Sequence, residues 1–264
     1  MTISEVASII EEFAPLSLQA SYDNAGLIVG NASHEVESVL LAVDITPEVM
    51  QEAISLGVNM VITHHPLIFS PLKRLTSSNY IERCVESAIR NDIAIYAAHT
   101  NLDSAEGGMS WRLGEILGIE NMQVLESTSS TDPNVGFGVV GTLPHPRDTR
   151  EYITEVGKTL NCKAIRHGEI TQSESQRIAI CTGSGGSLIE EVRRCGADIY
   201  ITADLRYNDF MNPSGEFTIV DVGHYESEYC AIDILFGILS KKMINFAVHK
   251  SQCTRNPISY ISLQ

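Results

Sequence analysis

Three segments of the chain run through apolar residues and then end in side chains that bind metals. They span residues 61–65, 95–103 and 219–224, and they end in His64-His65, in His99-x-x-x-Asp103 and in His224. Glu228 follows His224 by four residues where a helix should begin, so both side chains share one face. Ligands of open α/β sheets bind beyond the carboxyl ends of the strands, so the three segments are predicted to face one crevice. The predicted metal ligands are His64, His65, Asp103, His224 and Glu228.

The ligand types indicate which metals and which reaction such a site would support. Imidazole nitrogen and carboxylate oxygen suit zinc, iron or manganese better than calcium or a soft metal. The six cysteines form no C-x-x-C pair, so the sequence gives no sign of a thiolate site. Two divalent ions would exceed the charge of two carboxylates by about two units and favour an anionic substrate. Because a divalent metal lowers the pKa of water to about 7, the implied reaction is hydrolytic.

Each motif also has a simpler interpretation when it is taken alone. His64 and His65 could be hydrogen-bonded residues that end a strand, and a His-x-x-x-Glu spacing often arises by chance. The three motifs together at predicted strand ends favour metal binding. The remaining candidates, His145, His167 and His249, lack this context and are predicted to be surface residues.

Two further features leave alternatives open. The glycine-rich segment 182–187 precedes a predicted helix, so its amides could bind a phosphate, or it could be a tight turn between strand and helix. Asp44 and Asp204 also end predicted strands. They could orient the ligand histidines or simply cap helices.

The elements that must position these residues begin with a helix over 2–13, which has a Thr2-x-x-Glu5 capping box. A strand–helix–strand unit follows, with the helix starting at Thr46-Pro47 and ending at Gly57. The predicted elements of this first part are strands at 39–43, 59–63 and 93–98 and helices at 46–57, 80–91 and 106–117.

A Ser/Thr-rich segment at 126–133 is predicted to link two lobes. The second lobe is predicted to contain strands at 136–143, 177–182 and 198–202 and helices at 150–160 and 187–195. A strand at 217–222, a helix at 228–239 and a final strand at 257–263 are expected to rejoin the first lobe. The predicted fold is therefore an α/β, two-lobed three-layer sandwich. Residues 1–125 and about 216–264 form the metal-binding lobe, which has a mostly parallel sheet, and about 133–215 form the second lobe.

The overall composition limits the classes of partner. The chain carries 33 acidic and 18 basic residues, a net charge of -15, which disfavours binding to nucleic acid. No apolar segment has the length of a membrane span, and the N-terminus lacks the pattern of a secretory signal. We therefore expect a cytoplasmic protein with a small-molecule substrate.

Four motifs in order resemble the Nif-three-like proteins, also called GTP cyclohydrolase 1 type 2 homologues. They are Tyr-Asp-Asn-Ala-Gly-Leu at 22–27, Ile-Thr-His-His-Pro at 62–66, Ala-His-Thr-Asn-Leu-Asp at 98–103 and Gly-His-Tyr-Glu-Ser-Glu at 223–228. The resemblance implies that the five predicted ligands bind a dinuclear metal centre and that His99 is a catalytic or nearby supporting residue. It also implies a ring-shaped homohexamer, in a short form that lacks an inserted domain.

The chain departs from the family pattern at two positions. Tyr22 stands where the family commonly has Trp. Thr-Ala-Asp at 202–204 followed by Tyr207-Asn208 stands where the family often has Thr-Gly-Asp or Thr-Gly-Glu followed by a Tyr-His pair, so Asn208 replaces the His. The second change leaves open any substrate or proton-transfer role of that loop. The favoured function is a metal-dependent hydrolase acting on a nucleotide or another anionic small molecule, with GTP ring opening suggested by the family label. The alternative is a non-catalytic metal-handling or regulatory hexameric scaffold, and nucleic-acid binding ranks third.

Overall fold

The structure is a computed structural model, and it describes residues 1–211, 213, 215–243 and 246–261. The helices are α1 (Ile3–Phe13), α2 (Pro47–Leu56), α3 (Tyr80–Arg90), α4 (Thr100–Ser104), α5 (Met109–Ile116), α6 (Thr149–Thr159), α7 (Ile189–Cys195), α8 (His224–Glu228) and α9 (Cys230–Lys242). The strands are β1 (Gly26–Val29), β2 (Ser38–Ala42), β3 (Met60–Thr63), β4 (Ala94–Ala97), β5 (Glu120–Ser127), β6 (Gly136–Asp148), β7 (Arg166–His167), β8 (Glu174–Ser184), β9 (Ile199–Ala203), β10 (Thr218–Asp221) and β11 (Ala247–Lys250).

The helix ends follow the predicted capping chemistry. The Thr2 hydroxyl accepts a hydrogen bond from the amide of Glu5, and the Glu5 carboxylate accepts one from the amide of Thr2. The Thr46 hydroxyl caps α2 by accepting a hydrogen bond from the amide of Val49, and α2 ends at Gly57 in the left-handed conformation. These local signals therefore set the boundaries of α1 and α2 as predicted.

The chain divides into two compact units. Unit 1 contains residues 1–105 and the described part of 231–255, and unit 2 contains residues 106–230 and the described residues from 256 onward. The sheet of unit 1 has the order β1-β4-β3-β2-β11. Four of its strands are parallel, and β1 runs antiparallel to β4 at the edge. The predicted α/β class and the mostly parallel sheet are confirmed.

Both faces of the sheet in unit 1 are covered, as the uninterrupted apolar strands require. On one face, Ile95 packs with Val49 of α2 and Val85 of α3 in a buried cluster. On the opposite face, the Tyr96 hydroxyl donates a hydrogen bond to Glu11 of α1, at 3.1 Å. Unit 1 is therefore a layer of strands between two layers of helices.

Unit 2 repeats this arrangement around a mixed sheet with the order β5-β6-β8-β9-β10-β7. Strands β8, β9 and β10 are parallel, and the other pairs are antiparallel. Tyr152 and Val156 of α6 pack on one face with Ile180, while Ile189 of α7 packs on the other with Tyr200. The alternation of Ile180 and Cys181 between the two clusters fits side chains that alternate across a strand.

The predicted division of the chain differs from the observed one because of long-range strand pairing. The segment 217–222 was expected to rejoin the first lobe, but β10 pairs with β9 in the sheet of unit 2, so that prediction is wrong. The Ser/Thr-rich segment 126–133 is not a link between lobes, because it connects β5 and β6, which pair with each other. The units therefore separate at residues 105/106, 230/231 and 255/256.

The C-terminal prediction also fails. Of the predicted strand at 257–263, residues 257–261 are not in a strand, and 262–263 lie outside the described residues. The strand that completes the sheet of unit 1 is instead β11, whose short and polar sequence gave no clear signal. Within the part of the chain that the structure describes, each helix is too short or too polar to cross a lipid bilayer. The expected cytoplasmic location stays a prediction.

Candidate metal centre

His64 and His65 follow directly after β3, where the chain turns out of the sheet. The His64 side chain is fully buried, and its Nδ1 lies 2.8 Å from the carbonyl oxygen of Ala98. Because a carbonyl oxygen only accepts hydrogen bonds, Nδ1 carries the proton and Nε2 keeps its lone pair for a metal. The Nε2 atom lies 3.9 Å from Oδ1 of Asp103, the carboxylate on α4.

His65 is oriented by an acidic residue at the end of the neighbouring strand. Its Nδ1 lies 2.8 Å from Oδ1 of Asp44, which follows β2. Thr46, and not Asp44, caps α2, so of the two interpretations of Asp44 the structure favours histidine orientation. An ionised carboxylate only accepts hydrogen bonds, so the Nε2 atom of His65 is again the nitrogen suited to metal binding.

His99 follows β4 and has the same kind of partner. Its Nδ1 lies 2.7 Å from Oδ1 of Asp23, whose other oxygen accepts hydrogen bonds from the amide and the hydroxyl of Thr100. Burial opposes ionisation of Asp23, but the hydrogen bonds with His99 and Thr100 hold its pKa well below the usual range. Asp23 is therefore a carboxylate at neutral pH, and it holds the proton of His99 on Nδ1.

The three histidines of unit 1 form one cluster. One nitrogen from each of His64, His65 and His99 lies within 4.8 Å of the others. The ring centroids are 5.0 Å apart for His64 and His65, 5.3 Å for His64 and His99, and 5.5 Å for His65 and His99. With Asp103 beside His64, unit 1 supplies four nitrogen and oxygen donors.

Unit 2 carries the predicted pair His224 and Glu228 on α8. The Nε2 atom of His224 lies 2.9 Å from the nearly buried Glu228 carboxylate, and its Nδ1 lies 2.8 Å from Asp204. Burial disfavours the protonated ring, but hydrogen bonds with Asp204 and Glu228 raise the pKa of His224 to about 10. Two carboxylates on either side of one imidazole thus create a local field that favours a cation.

The glycine-rich segment packs closely against this pair. A Cβ atom on Gly183 would lie 2.2 Å from Oε1 of Glu228, and the φ of Gly183 is +62°. The Gly183 amide donates to the Ser227 hydroxyl, and its carbonyl accepts from Thr202. The carbonyl of Gly185 accepts from Tyr200. These contacts favour the tight-turn interpretation over a phosphate site, because the glycines permit close packing within unit 2.

The structure thus brings His64, His65, His99 and Asp103 together in unit 1 and His224 and Glu228 together in unit 2. The meeting of the two sets in one crevice stays a prediction from the sequence. Of the three histidines assigned to the surface, His145 and His167 are exposed and His249 is half-buried. Sequence reasoning missed Asp23 as the partner of His99, although Asp23 lies in one of the quoted motifs.

The donor atoms fit a divalent metal. They are imidazole nitrogens and carboxylate oxygens, a set typical of zinc, iron and manganese sites in proteins. His64, His65 and His224 each have Nδ1 bound to an acceptor, which is the usual arrangement around metal-binding histidines. The side chains that could hold metal are His64, His65, His99 and Asp103 in unit 1 and His224 and Glu228 in unit 2.

The fold and these side chains define a class: α/β proteins with clusters of metal-capable histidines and carboxylates at the ends of parallel strands. Comparison with known proteins gives the family. The profile of the Duf34/NIF3 (NGG1p interacting factor 3) family matches residues 1–257, and the chain belongs to this family.

Named relatives and solved structures agree with this assignment. A protein of Clostridium perfringens called GTP cyclohydrolase 1 type 2 homolog is 36% identical over 231 residues, which cover 87% of each chain. A protein of Lactococcus lactis with the same name is 35% identical and covers 97% of this chain and 98% of its own. The crystal structure of a Bacillus cereus protein related to NIF3 aligns with a TM-score of 0.90 at 25% identity, over 99% of both chains.

Proposed function

We propose that this protein is a metal-dependent hydrolase that acts on a nucleotide or another anionic small molecule. In this proposal two divalent ions, of zinc, iron or manganese, are held by His64, His65, Asp103, His224 and Glu228. The observation that carries the proposal is that four histidine rings are held in the same way, each by a hydrogen bond at one ring nitrogen. In each of them Nδ1 is bound to an acceptor, which is Ala98, Asp44, Asp23 or Asp204.

A hydrogen-bond acceptor at Nδ1 makes the opposite ring nitrogen, Nε2, available to bind a metal or a proton. An acceptor on Nδ1 selects one tautomer, holds the ring plane and increases the basicity of Nε2. Rings in a fixed orientation lose little conformational entropy when a ligand binds. When bound, a divalent ion polarises a substrate oxygen and makes water acidic enough to ionise near neutral pH. The site residues therefore support hydrolysis of an anionic substrate.

His99 is the proposed proton-transfer residue. Its Nδ1 proton is held by Asp23, so its Nε2 can accept a proton from one reacting group and return it to another. The negative charge of Asp23 stabilises the imidazolium that forms in between, as in other aspartate–histidine pairs. His99 can do this beside His64 and His65 without being one of the five proposed ligands.

The names of the relatives suggest GTP as the first substrate to test. Cyclohydrolase activity on GTP would open the imidazole ring of guanine and release formate. The metal content of protein purified without chelator should be measured first, by elemental analysis. Two equivalents of metal per chain and formate release from GTP by the metal-loaded protein are the expected results.

Two variants decide whether the predicted ligands are responsible. His65→Ala should lose at least one metal equivalent and reduce formate release by at least 100-fold. His145→Ala removes an exposed histidine of unit 2 and should leave both unchanged. Formate release that is equal in His65→Ala and in the wild-type protein would eliminate the cyclohydrolase proposal.

We further propose that the chain assembles into a homohexamer, as its membership of the family suggests. The native mass should correspond to six chains of 28.9 kDa. A broad screen of nucleotides, phosphoesters and cyclic amides without metal-dependent turnover would favour the alternative function, a metal-handling or regulatory scaffold. A monomeric native mass would contradict the scaffold as well as the hexamer.

A further inference from the structure

Two exposed aromatic side chains lie next to the histidine cluster of unit 1. Tyr22 is 69% exposed and Phe69 is 50% exposed. Their ring centroids are 6.5 Å apart, and the Phe69 ring meets the His99 ring edge to face at 6.2 Å and 85°. The aromatic pair, Tyr22 and Phe69, therefore extends from the cluster into solvent.

The pair is held in place by hydrogen bonds of the adjacent residues. Asn24, two residues after Tyr22, donates from Nδ2 to the carbonyl oxygen of Ile68 at 2.6 Å, which joins the two segments. Asp23, the residue next to Tyr22, is bound to His99 and Thr100. Both rings are thus attached through the backbone to residues that are themselves anchored at the cluster.

Exposure of two aromatic rings in this position needs a physical reason. Burying such a side chain on folding stabilises a protein substantially, and neither ring makes full use of this here. Aromatic rings that stay exposed at a polar site commonly bind a ligand ring by stacking, because every planar ring offers a π-face. An aliphatic ligand could bury apolar surface against the two rings but would lack the stacking contribution of a planar ring.

We propose that Tyr22 and Phe69 bind a planar heteroaromatic ring of the substrate, and that they select ring-bearing anions over ring-free ones. This inference rests on the proposed function, because the ring would be held next to His99. The anionic part of the substrate would then extend over the cluster formed by His64, His65 and His99. The pair would act in specificity and positioning, and neither residue would take part in proton transfer.

The test compares nucleotides with an anion that has no ring. Binding of GTP, ATP and inorganic triphosphate to the metal-loaded full chain is measured by calorimetry for wild type, Tyr22→Ala and Phe69→Ala. Each substitution should weaken binding of both nucleotides about 10-fold and leave triphosphate binding unchanged. Tyr22→Trp, which keeps a large ring, should bind the nucleotides at least as tightly as wild type.

A matched control uses an exposed apolar residue of the same unit. Ile89 is 60% exposed near the end of α3, before β4 begins, so it lies at the opposite end of that strand from His99. Ile89→Ala should change none of the three affinities. Because all of these side chains are exposed, the variants should fold, and unchanged metal content and melting temperature would verify it.

Several results would overturn the inference. The first is that both alanine variants bind the nucleotides as tightly as wild type, and the second is that their affinity for triphosphate falls as much as their affinity for nucleotides. The third is that wild type binds no nucleotide. The fourth is that the variants have a different native mass from wild type. The last result would identify the pair as a contact between copies of the chain. Ring-dependent binding without formate release would leave the inference standing and end the cyclohydrolase proposal. If wild type released formate from GTP and both alanine variants kept its kcat/KM, the cyclohydrolase proposal would stand and the inference about Tyr22 and Phe69 would fail.

Discussion

Each cluster histidine uses one ring nitrogen for a structural hydrogen bond. The partners come from separate parts of the chain: Asp23 precedes β1, Asp44 follows β2 and Ala98 follows β4. An acceptor at Nδ1 leaves Nε2 with a defined lone pair, which is needed for both metal binding and proton transfer. The acidic partners are therefore as important to the proposed chemistry as the histidines.

Asp23→Asn should separate proton transfer from metal binding. An amide can donate to Nδ1 and so permit the other tautomer, in which Nε2 of His99 carries the proton. We expect kcat for formate release to fall about 10- to 100-fold, with a changed pH profile and unchanged metal content. Steady-state kinetics across pH and elemental analysis measure these quantities.

Asp92→Asn is the matched control for this prediction. Asp92 lies 3.1 Å from Nδ1 of His34, but both side chains are exposed and belong to no histidine cluster. This variant should retain wild-type kinetics. If Asp23→Asn also kept the kcat and pH profile of wild type, His99 would not be the proton-transfer residue.

At the scale of elements, one carboxylate, that of Glu82, binds the backbone that leads into the N-terminus of α3. Glu82 lies in the first turn and accepts hydrogen bonds from the amides of Thr76 and Ser78, at 2.8 and 3.1 Å. Its location also suits the positive end of the helix dipole. These hydrogen bonds, led by the one from Thr76, lower the pKa of Glu82 to about 2 from an ordinary value of 4.5.

The lowered pKa predicts how Glu82 contributes to stability as the pH changes. Because the pKa is lower in the folded protein, the ionised side chain stabilises the fold above about pH 4.5. This stabilisation is lost as the pH falls towards 2. Glu82→Gln should therefore lower the urea midpoint at pH 7, and the difference from wild type should shrink between pH 4.5 and 2.

The control for Glu82 is Glu115→Gln, which removes an exposed ion pair with Arg112 on α5. Exposed pairs contribute little, so its urea midpoint should stay close to that of wild type at each pH. A Glu82→Gln effect that stayed constant from pH 7 to pH 2 would show that the ionisation of Glu82 does not contribute.

The turn after β8 packs against the Glu228 carboxylate of α8 and is expected to position it. Alanine substitutions at two glycines, Gly183 and Gly196, test this role. Gly183 and Gly196 have nearly the same φ, +62° and +65°, but a Cβ on Gly196 would meet nothing within 4 Å. Substitution by alanine should cost about 1 kcal/mol of backbone strain at either position. Only Gly183→Ala should also displace Glu228 and reduce metal content, as measured by elemental analysis. Equal metal content in both variants would refute this role.

At the scale of the whole molecule, the proposed ligands extend from residue 64 to residue 228, so only the folded chain can bring them to one site. A ligand that binds the native state alone stabilises it by about 4 kcal/mol at 1,000 times its Kd. Chelation should therefore lower the melting temperature by on the order of 10 °C, and added zinc or manganese should restore it.

Scanning calorimetry of wild type and His65→Ala, each with and without chelator, measures this effect. The variant should respond less to chelator than wild type, because it lacks one proposed ligand. A melting temperature of wild type that is insensitive to chelator, in protein shown to contain metal, would contradict a stabilising metal site.

The sequence alone determined the features that depend on neighbouring residues. The caps at Thr2, Thr46 and Gly57 and the helices that they begin or end follow from backbone groups within one turn. Apolar segments that end in His64-His65 and in His99 predicted strand ends with metal-capable side chains, because the carboxyl ends of parallel strands face one edge. The α/β class followed from the same alternation.

Only the tertiary structure decided which distant segments pair. An apolar strand such as β10 is compatible with either sheet, and only its pairing with β9 and β7 shows that it belongs to the sheet of unit 2. Strand β11 is too short and polar to be recognised, and it is fixed by pairing with β2. The role of Asp23 depends on its distance to His99, 76 residues away in the chain. Such contacts are long-range, and local spacing does not encode them because the three-dimensional path of the chain between the partners sets their distance.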